Sequence, residues 1–181
     1  ATARRLGAVV TATDVRPAAK EQVASLGAKF IAVEDEEFKA AETAGGYAKE
    51  ASEEFLKRQR EEVKKRVAEA DLVITTAQVP GKKAPRLVDE AMVKSMRPGS
   101  VVVDLAVESG GNCELSCAGE VVERHGVVIV GVRNLPATVP QHASELYAKN
   151  VLNLVKLFVG KEGELKRDFT ERAQAAKMIA P

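Results

Sequence analysis

The chain has 181 residues, 45% of them hydrophobic, with 27 basic and 26 acidic side chains and a net charge of +1. That length fills one core plus a tail and does not support two full domains, while the balanced charge excludes the basic footprint of a nucleic-acid binder. Apolar runs fall short of the roughly 18 residues a membrane span needs, so no direct membrane insertion is expected.

Residues 1–6 read as the last turns of a helix with Gly7 as its stop, so the chain is expected to begin inside an element, as a fragment of a longer polypeptide would. Ala8 to Thr13 is a short β-branched run ending at Asp14, which predicts a buried strand. Pro17 starts an amphipathic helix carrying Val23 and Leu26 that stops at Gly27, and residues 29–33 supply the next strand. From Glu34 to Glu54 no apolar period is sustained, and a connection of that length is usually functional or mobile.

Leu56, Val63 and Val67 mark one face of a charged helix, followed by a strand over residues 71–76 and a break at Pro80-Gly81. A helix is predicted from Leu87 to Met96, then strands over 100–105 and 127–130. The last helix carries Tyr147, Val151, Leu154, Val155 and Phe158 on one stripe, and residues 161–181 lose the pattern and form a C-terminal tail. Strands alternating with helices at this spacing predict a doubly wound α/β domain over 1–160, with a parallel sheet and helices on both faces.

In such a sheet ligands bind beyond the carboxyl ends of the strands. Asp14 follows a strand directly, where an acidic side chain either accepts the ribose hydroxyls of an adenine dinucleotide, favouring NAD over NADP, or caps the next helix. Arg16, two residues on, could flank the adenine or tolerate a phosphate. The strand end Thr75-Thr76-Ala77-Gln78 has small residues that admit a flat ring, and Gln78 could bond a ribose hydroxyl or carboxamide. Asp104 and Glu108 flank a flexible glycine pair and could act as acid or base, although solvated loop charges are commoner. Asn134 follows a further strand. The glycine-rich dinucleotide fingerprint is absent, so the domain reads as lacking its first strand and phosphate loop. Cys113 and Cys117, with no histidine nearby, read as free thiols, and His125 and His142 are isolated, so no metal site is expected.

Five landmarks in register carry a resemblance: residues 1–8 with Thr13-Asp14-Val15-Arg16, Gly45-Gly46-Tyr47-Ala48-Lys49-Glu50, residues 74–81 continuing to Ala84-Pro85, residues 98–106, and Gly110-Gly111-Asn112. Together they resemble the NAD(H)-binding component of the proton-translocating nicotinamide nucleotide transhydrogenases, in the superfamily that includes alanine dehydrogenase, over roughly residues 1–150. The resemblance implies a Rossmann-like domain in which Asp14, Val15 and Arg16 hold the adenosine ribose. It also implies that Gly46 and Tyr47 form the tip of a loop closing over nucleotide, and that Gln59 and Gln78 make further contacts; Thr76, Ala77 and Asn134, read from their places at strand ends, complete the expected cofactor-binding set. The family has leucine where Gln78 stands, and Pro136-Ala137 and the tail depart from its pattern.

The implied activity is passage of hydride between NADH and NADP+ coupled to proton translocation, with NADP(H) on a partner component and no catalytic side chain in this chain. The implied partners are that NADP(H)-binding component, a membrane proton-channel component and a second copy of the chain. The implied location is cytoplasmic or mitochondrial-matrix, peripheral on the inner membrane. An alanine dehydrogenase-like oxidoreductase and a non-catalytic nucleotide-sensing module are the alternatives.

Overall fold

A computed structural model of the chain describes residues 1–33, 52–79, 81–159 and 164. The Gly46–Tyr47 tip and, apart from residue 164, the 161–181 tail lie outside the described residues. Helix α1 (Thr2–Arg5) ends as expected at Gly7, whose φ of 91° needs glycine. Strand β1 (Thr11–Ala12) leads to helix α2 (Ala18–Ser25) and strand β2 (Lys29–Phe30). Helix α3 (Glu53–Glu69) opens with the Ser52 hydroxyl accepting from the Phe55 N–H at 3.2 Å, which satisfies one orphan amide of its first turn.

Strand β3 (Leu72–Thr75), helix α4 (Glu90–Ser95) and strand β4 (Val101–Asp104) follow. The helix predicted from Leu87 is shorter because Asp89 caps it, its carboxylate accepting from the Met92 N–H at 2.8 Å. Upstream of that cap, Val88 is extended and bridges Cys113 in parallel. A 3-10 turn (Val107–Ser109) precedes strands β5 (Val121–Arg124) and β6 (Val127–Val130), and a second 3-10 turn (Leu135–Thr138) precedes helix α5 (Pro140–Phe158).

The described strands form a parallel pair β1-β2 and a four-stranded sheet of order β3-β4-β6-β5. Within the latter β3, β4 and β6 are parallel, whereas β5 runs antiparallel to β6. The sheet is therefore mixed, a departure from the all-parallel expectation. Strand β5, which the apolar pattern does not predict, returns through a tight turn at His125 and Gly126, both at positive φ (55° and 75°), a geometry that suits a hairpin and not a crossover.

One face of the larger sheet is core: Val102, Val127 and Ile129 are fully buried with Met92, Val93 and Met96 of the α4 region and Val67 of α3. The alternation of side chains across a strand sends Leu72 and Ile74 to the other face, where they are 53% and 55% exposed. The sequence predicts a buried β1, yet Val9 is 97% exposed and Thr11 is exposed, because among the described residues only β2 pairs with it. On the apolar stripe of α5, Tyr147, Val151 and Val155 are exposed, Tyr147 at 72%, while Leu154 and Phe158 are half-buried.

Candidate functional site

Parallel strands align their carboxyl ends, so residues just after them gather at one edge. Asp14 stands two residues beyond β1. Its Oδ1 accepts from the Arg16 backbone N–H at 2.9 Å and from Arg16 Nε at 3.0 Å, and its Oδ2 accepts from Arg16 Nη2 at 2.9 Å. Partial burial pulls this carboxyl's pKa up, but the hydrogen bonds and charge of Arg16 outweigh it and leave the group below its usual value. Asp14 is thus an anion at neutral pH with 29% of its side chain exposed.

Gln59, on α3, reaches the same edge. Its Oε1 accepts from the Val33 N–H at 2.9 Å, while its Nε2 donates to the Thr13 hydroxyl at 2.8 Å and to the Ile31 carbonyl at 3.5 Å. One amide thereby ties the ends of β1 and β2 together next to Asp14. Because Val63 and Val67 on the same helix pack in the core of the larger sheet, α3 also links the two sheets. Val15, 48% exposed, borders the group.

The second cluster lies after β3 and β4. Thr76 is exposed and Ala77 half-buried. Gln78 donates from Nε2 to the Leu105 carbonyl at 3.2 Å, crossing from one strand end to the next. Beside it an open cleft of about 650 Å³ is lined by Gln78, Val79 and Lys82 on one side and Glu108, Ser109 and Gly110 on the other. Two side chains to which motif reading assigns no such role hold these walls. Asn112, fully buried, bonds Ala77 and Pro85. Asp104, also fully buried, accepts from the Thr75 hydroxyl at 3.3 Å, the Ala106 N–H at 3.0 Å, the Cys113 N–H at 2.9 Å and the Ser116 hydroxyl at 2.7 Å.

Burial pulls the Asp104 pKa up, but its hydrogen bonds, the Cys113 amide first, reverse this and hold it below the usual carboxylate value. A saturated buried anion is neither the solvated loop charge nor the general acid or base that the sequence allowed; it is a structural anchor. Only its place one strand end before a glycine pair hints at this in the sequence.

Asn134 follows β6, which runs parallel to β4. Its backbone is left-handed, φ 48° and ψ 50°, and its carbonyl accepts from the Ala137 N–H at 2.9 Å to start the turn before α5. Asn tolerates that conformation better than most residues, which accounts for its presence there without a ligand. Cys113 and Cys117 are both free thiols. No helix among the described residues is long and apolar enough to cross a membrane.

Comparison with known proteins places the chain in a family. The family model described as "Alanine dehydrogenase/PNT, C-terminal domain" matches residues 1–180. The first part of NAD(P) transhydrogenase subunit alpha from Rhodospirillum rubrum is 60% identical over 162 residues, covering 90% of this chain and 42% of that protein. Among solved structures, transhydrogenase from Sinorhizobium meliloti superposes with a TM-score of 0.72 at 52% identity, covering 91% of this chain and 44% of that one. An L-alanine dehydrogenase gives 0.61 at 26% identity, covering 99% and 49%. The chain spans less than half the length of each.

Proposed function

Since the chain belongs to the alanine dehydrogenase/PNT C-terminal domain family and has its Rossmann-like α/β fold, we propose that it is the NAD(H)-binding part of a transhydrogenase that passes hydride between NADH and NADP+. The observation that carries the reading is the placement of Asp14 and Gln59 at one strand edge and of Ala77 and Gln78 at another, on sheets joined by α3.

The residues present suit a dinucleotide. Asp14 is a half-buried anion at the strand end where a ribose hydroxyl would approach, and Val15 supplies an apolar surface next to it. Thr76 and Ala77 are small, so backbone at the β3 end can be approached closely by a flat ring, and the adjoining cleft has room for the nicotinamide half. When bound, the nicotinamide supplies the hydride. This chain's task is to fix the ring and keep water away, since transfer between two such rings requires no protein proton relay.

Strand order supports the same frame. The pairs β2-β1 and β3-β4-β6 follow the doubly wound order 3-2-1-4-5-6 at positions 3-2 and 4-5-6. In this reading, the strand at position 1 and its phosphate-binding turn come from a segment outside residues 1–181, pairing with β1 and β3 on the sides left open among the described residues. NADP(H) is held on a partner component, a membrane component moves protons, two copies of the chain pair, and the assembly lies peripherally on the inner face of the membrane.

Titration of the complete subunit with NADH and NADPH, followed by hydride transfer to an NADP analogue with the partner component added, tests the proposal. NADH binding with transfer is the expected result. Turnover of alanine without a partner favours the dehydrogenase alternative instead, and binding without any turnover favours a sensing module.

A further inference from the structure

Asn112 follows two glycines with left-handed backbones, Gly110 at φ 102° and Gly111 at φ 79°, and its side chain is fully buried. Both polar atoms of that side chain are engaged. Oδ1 accepts from the Ala77 N–H at 3.0 Å, and Nδ2 donates to the Ala77 carbonyl at 2.9 Å and to the Pro85 carbonyl at 2.7 Å. The amide thus pairs with Ala77 at two points, as a neighbouring strand would, just where β3 has ended. The Asn112 backbone carbonyl adds bonds from the Leu87 and Val88 N–H groups at 2.9 and 3.0 Å.

Residues 77–88 are therefore stitched to position 112 at both ends, and the loop so held forms one wall of the cleft with Gln78, Val79 and Lys82. The opposite wall, Glu108 to Gly110, runs directly into Asn112. The Ala84 N–H also donates to the Ser109 carbonyl at 2.8 Å, and the Asn112 amide, which does not line the cleft itself, adds the buried side-chain tie that holds the Ala77 end of the first wall.

We infer that Asn112 is a positioning residue for hydride transfer: it fixes the Ala77–Gln78 wall, and through it the nicotinamide half of the dinucleotide, while leaving the adenosine half at Asp14 unaffected. This rests on the nucleotide reading above. No other residue type of similar size offers one acceptor and two donors in a planar group. Aspartate keeps the shape and the bond from the Ala77 N–H but sets an oxygen against two carbonyls, and alanine leaves all three backbone groups buried without partners. Displacement of a reacting ring by about 1 Å costs on the order of 100-fold in rate.

The test uses the complete subunit with its NADP(H)-binding component and compares wild type with Asn112→Ala and Asn112→Asp. ADP-ribose, which lacks the nicotinamide, reads the adenosine end by calorimetric titration, and single-turnover hydride transfer from NADH reads the other. The expected result is a loss of about 10-fold or more in transfer rate, with ADP-ribose affinity within about twofold of wild type. A rate within about twofold of wild type overturns the inference. So does a parallel loss of ADP-ribose binding and rate, which would make Asn112 a general structural residue. Should Asn112→Ala fail to fold, the isosteric Asn112→Asp carries the comparison. A wild-type subunit that binds neither NADH nor ADP-ribose would defeat the nucleotide reading first, and this inference with it.

Discussion

The Gln59 side-chain amide donates to the Thr13 hydroxyl at 2.8 Å, across 46 residues of chain and one residue before Asp14. A second bond, from the Val33 N–H to Gln59 Oε1 at 2.9 Å, makes the glutamine a brace between two strand ends. The resemblance implies a nucleotide contact for Gln59; in the structure its amide bonds protein at Thr13, Ile31 and Val33, next to Asp14. Gln59→Ala removes two good hydrogen bonds, each worth about 1 kcal/mol net. We expect a loss of about 1–2 kcal/mol in stability by urea denaturation, with weaker ADP-ribose binding. Unchanged affinity together with lowered stability would confine Gln59 to the fold.

Asp104 makes acid sensitivity predictable. Its folded pKa lies below the unfolded carboxylate value of about 3.9, so between those two values the unfolded state binds more protons. The stabilisation is complete above about pH 4 to 5 and is lost as pH falls through the folded value. Asp104→Asn cannot accept at both positions, because its amide nitrogen, standing where one oxygen was, faces the N–H donor of either Ala106 at Oδ1 or Cys113 at Oδ2. We expect a loss of about 2–4 kcal/mol at pH 7 and a flatter stability profile below about pH 4. Denaturant midpoints measured from about pH 3 to 7 check both, and a variant whose acid dependence matches wild type would show that other carboxylates dominate.

How far the sequence discloses this arrangement depends on how local each cause is. The Gly7 and Gly27 stops, the Val63 and Val67 face and the β3, β4 and β6 runs are periodic or terminal features, and the structure has them where expected. Strand β5 escapes sequence reading because Val121-Val122-Glu123-Arg124 has only a two-residue apolar start and is defined by its partner β6. The buried roles of Asp104 and Asn112 escape it for a related reason. Their partners at Thr75, Ala77 and Pro85 are 27 to 35 residues away, and nothing in local spacing distinguishes a saturated buried aspartate from a solvated one.

Two glycines in the same region should resist substitution for different reasons. At Gly111, φ is 79° and an added Cβ would fall 2.7 Å from Ser116 Oγ and 2.8 Å from Asp104 Oδ2, so alanine strains the backbone and crowds the anchor. At Gly131 the Cβ would lie 2.3 Å from the Cys117 carbonyl oxygen, which is backbone and cannot swing aside. By contrast, an alanine at Gly99 meets nothing within 4 Å and bears only the cost of its φ of 86°. Thermal denaturation should rank Gly99→Ala as mildest, at about 1 kcal/mol, with Gly111→Ala and Gly131→Ala each at about 3 kcal/mol or more. Equal losses at all three would mean that steric crowding at 111 and 131 is relieved by small backbone shifts.

The two faces of the larger sheet differ in cover. Val102 and Ile129 pair across β4 and β6 on the buried face and are fully covered, whereas Ile74 and Val103 pair across β3 and β4 on the other face, with Ile74 55% exposed. Charge placed on a covered valine must be desolvated, so Val102→Lys should unfold the 181-residue chain outright. Ile74→Lys keeps its ammonium in water and should cost about 1 kcal/mol or less there. If β3 pairs on the side open among the described residues with a strand from another segment, as proposed, and the crossover of that segment packs on this face, the surface around Ile74 is covered in the complete subunit and the same Ile74→Lys becomes costly. Denaturation of both variants in both lengths measures this as a difference of differences, largely insensitive to the unfolded state. An Ile74→Lys effect equally small in the complete subunit would show that nothing packs over the tip of β3, and would remove the strand-order argument for a segment inserted between the two sheets.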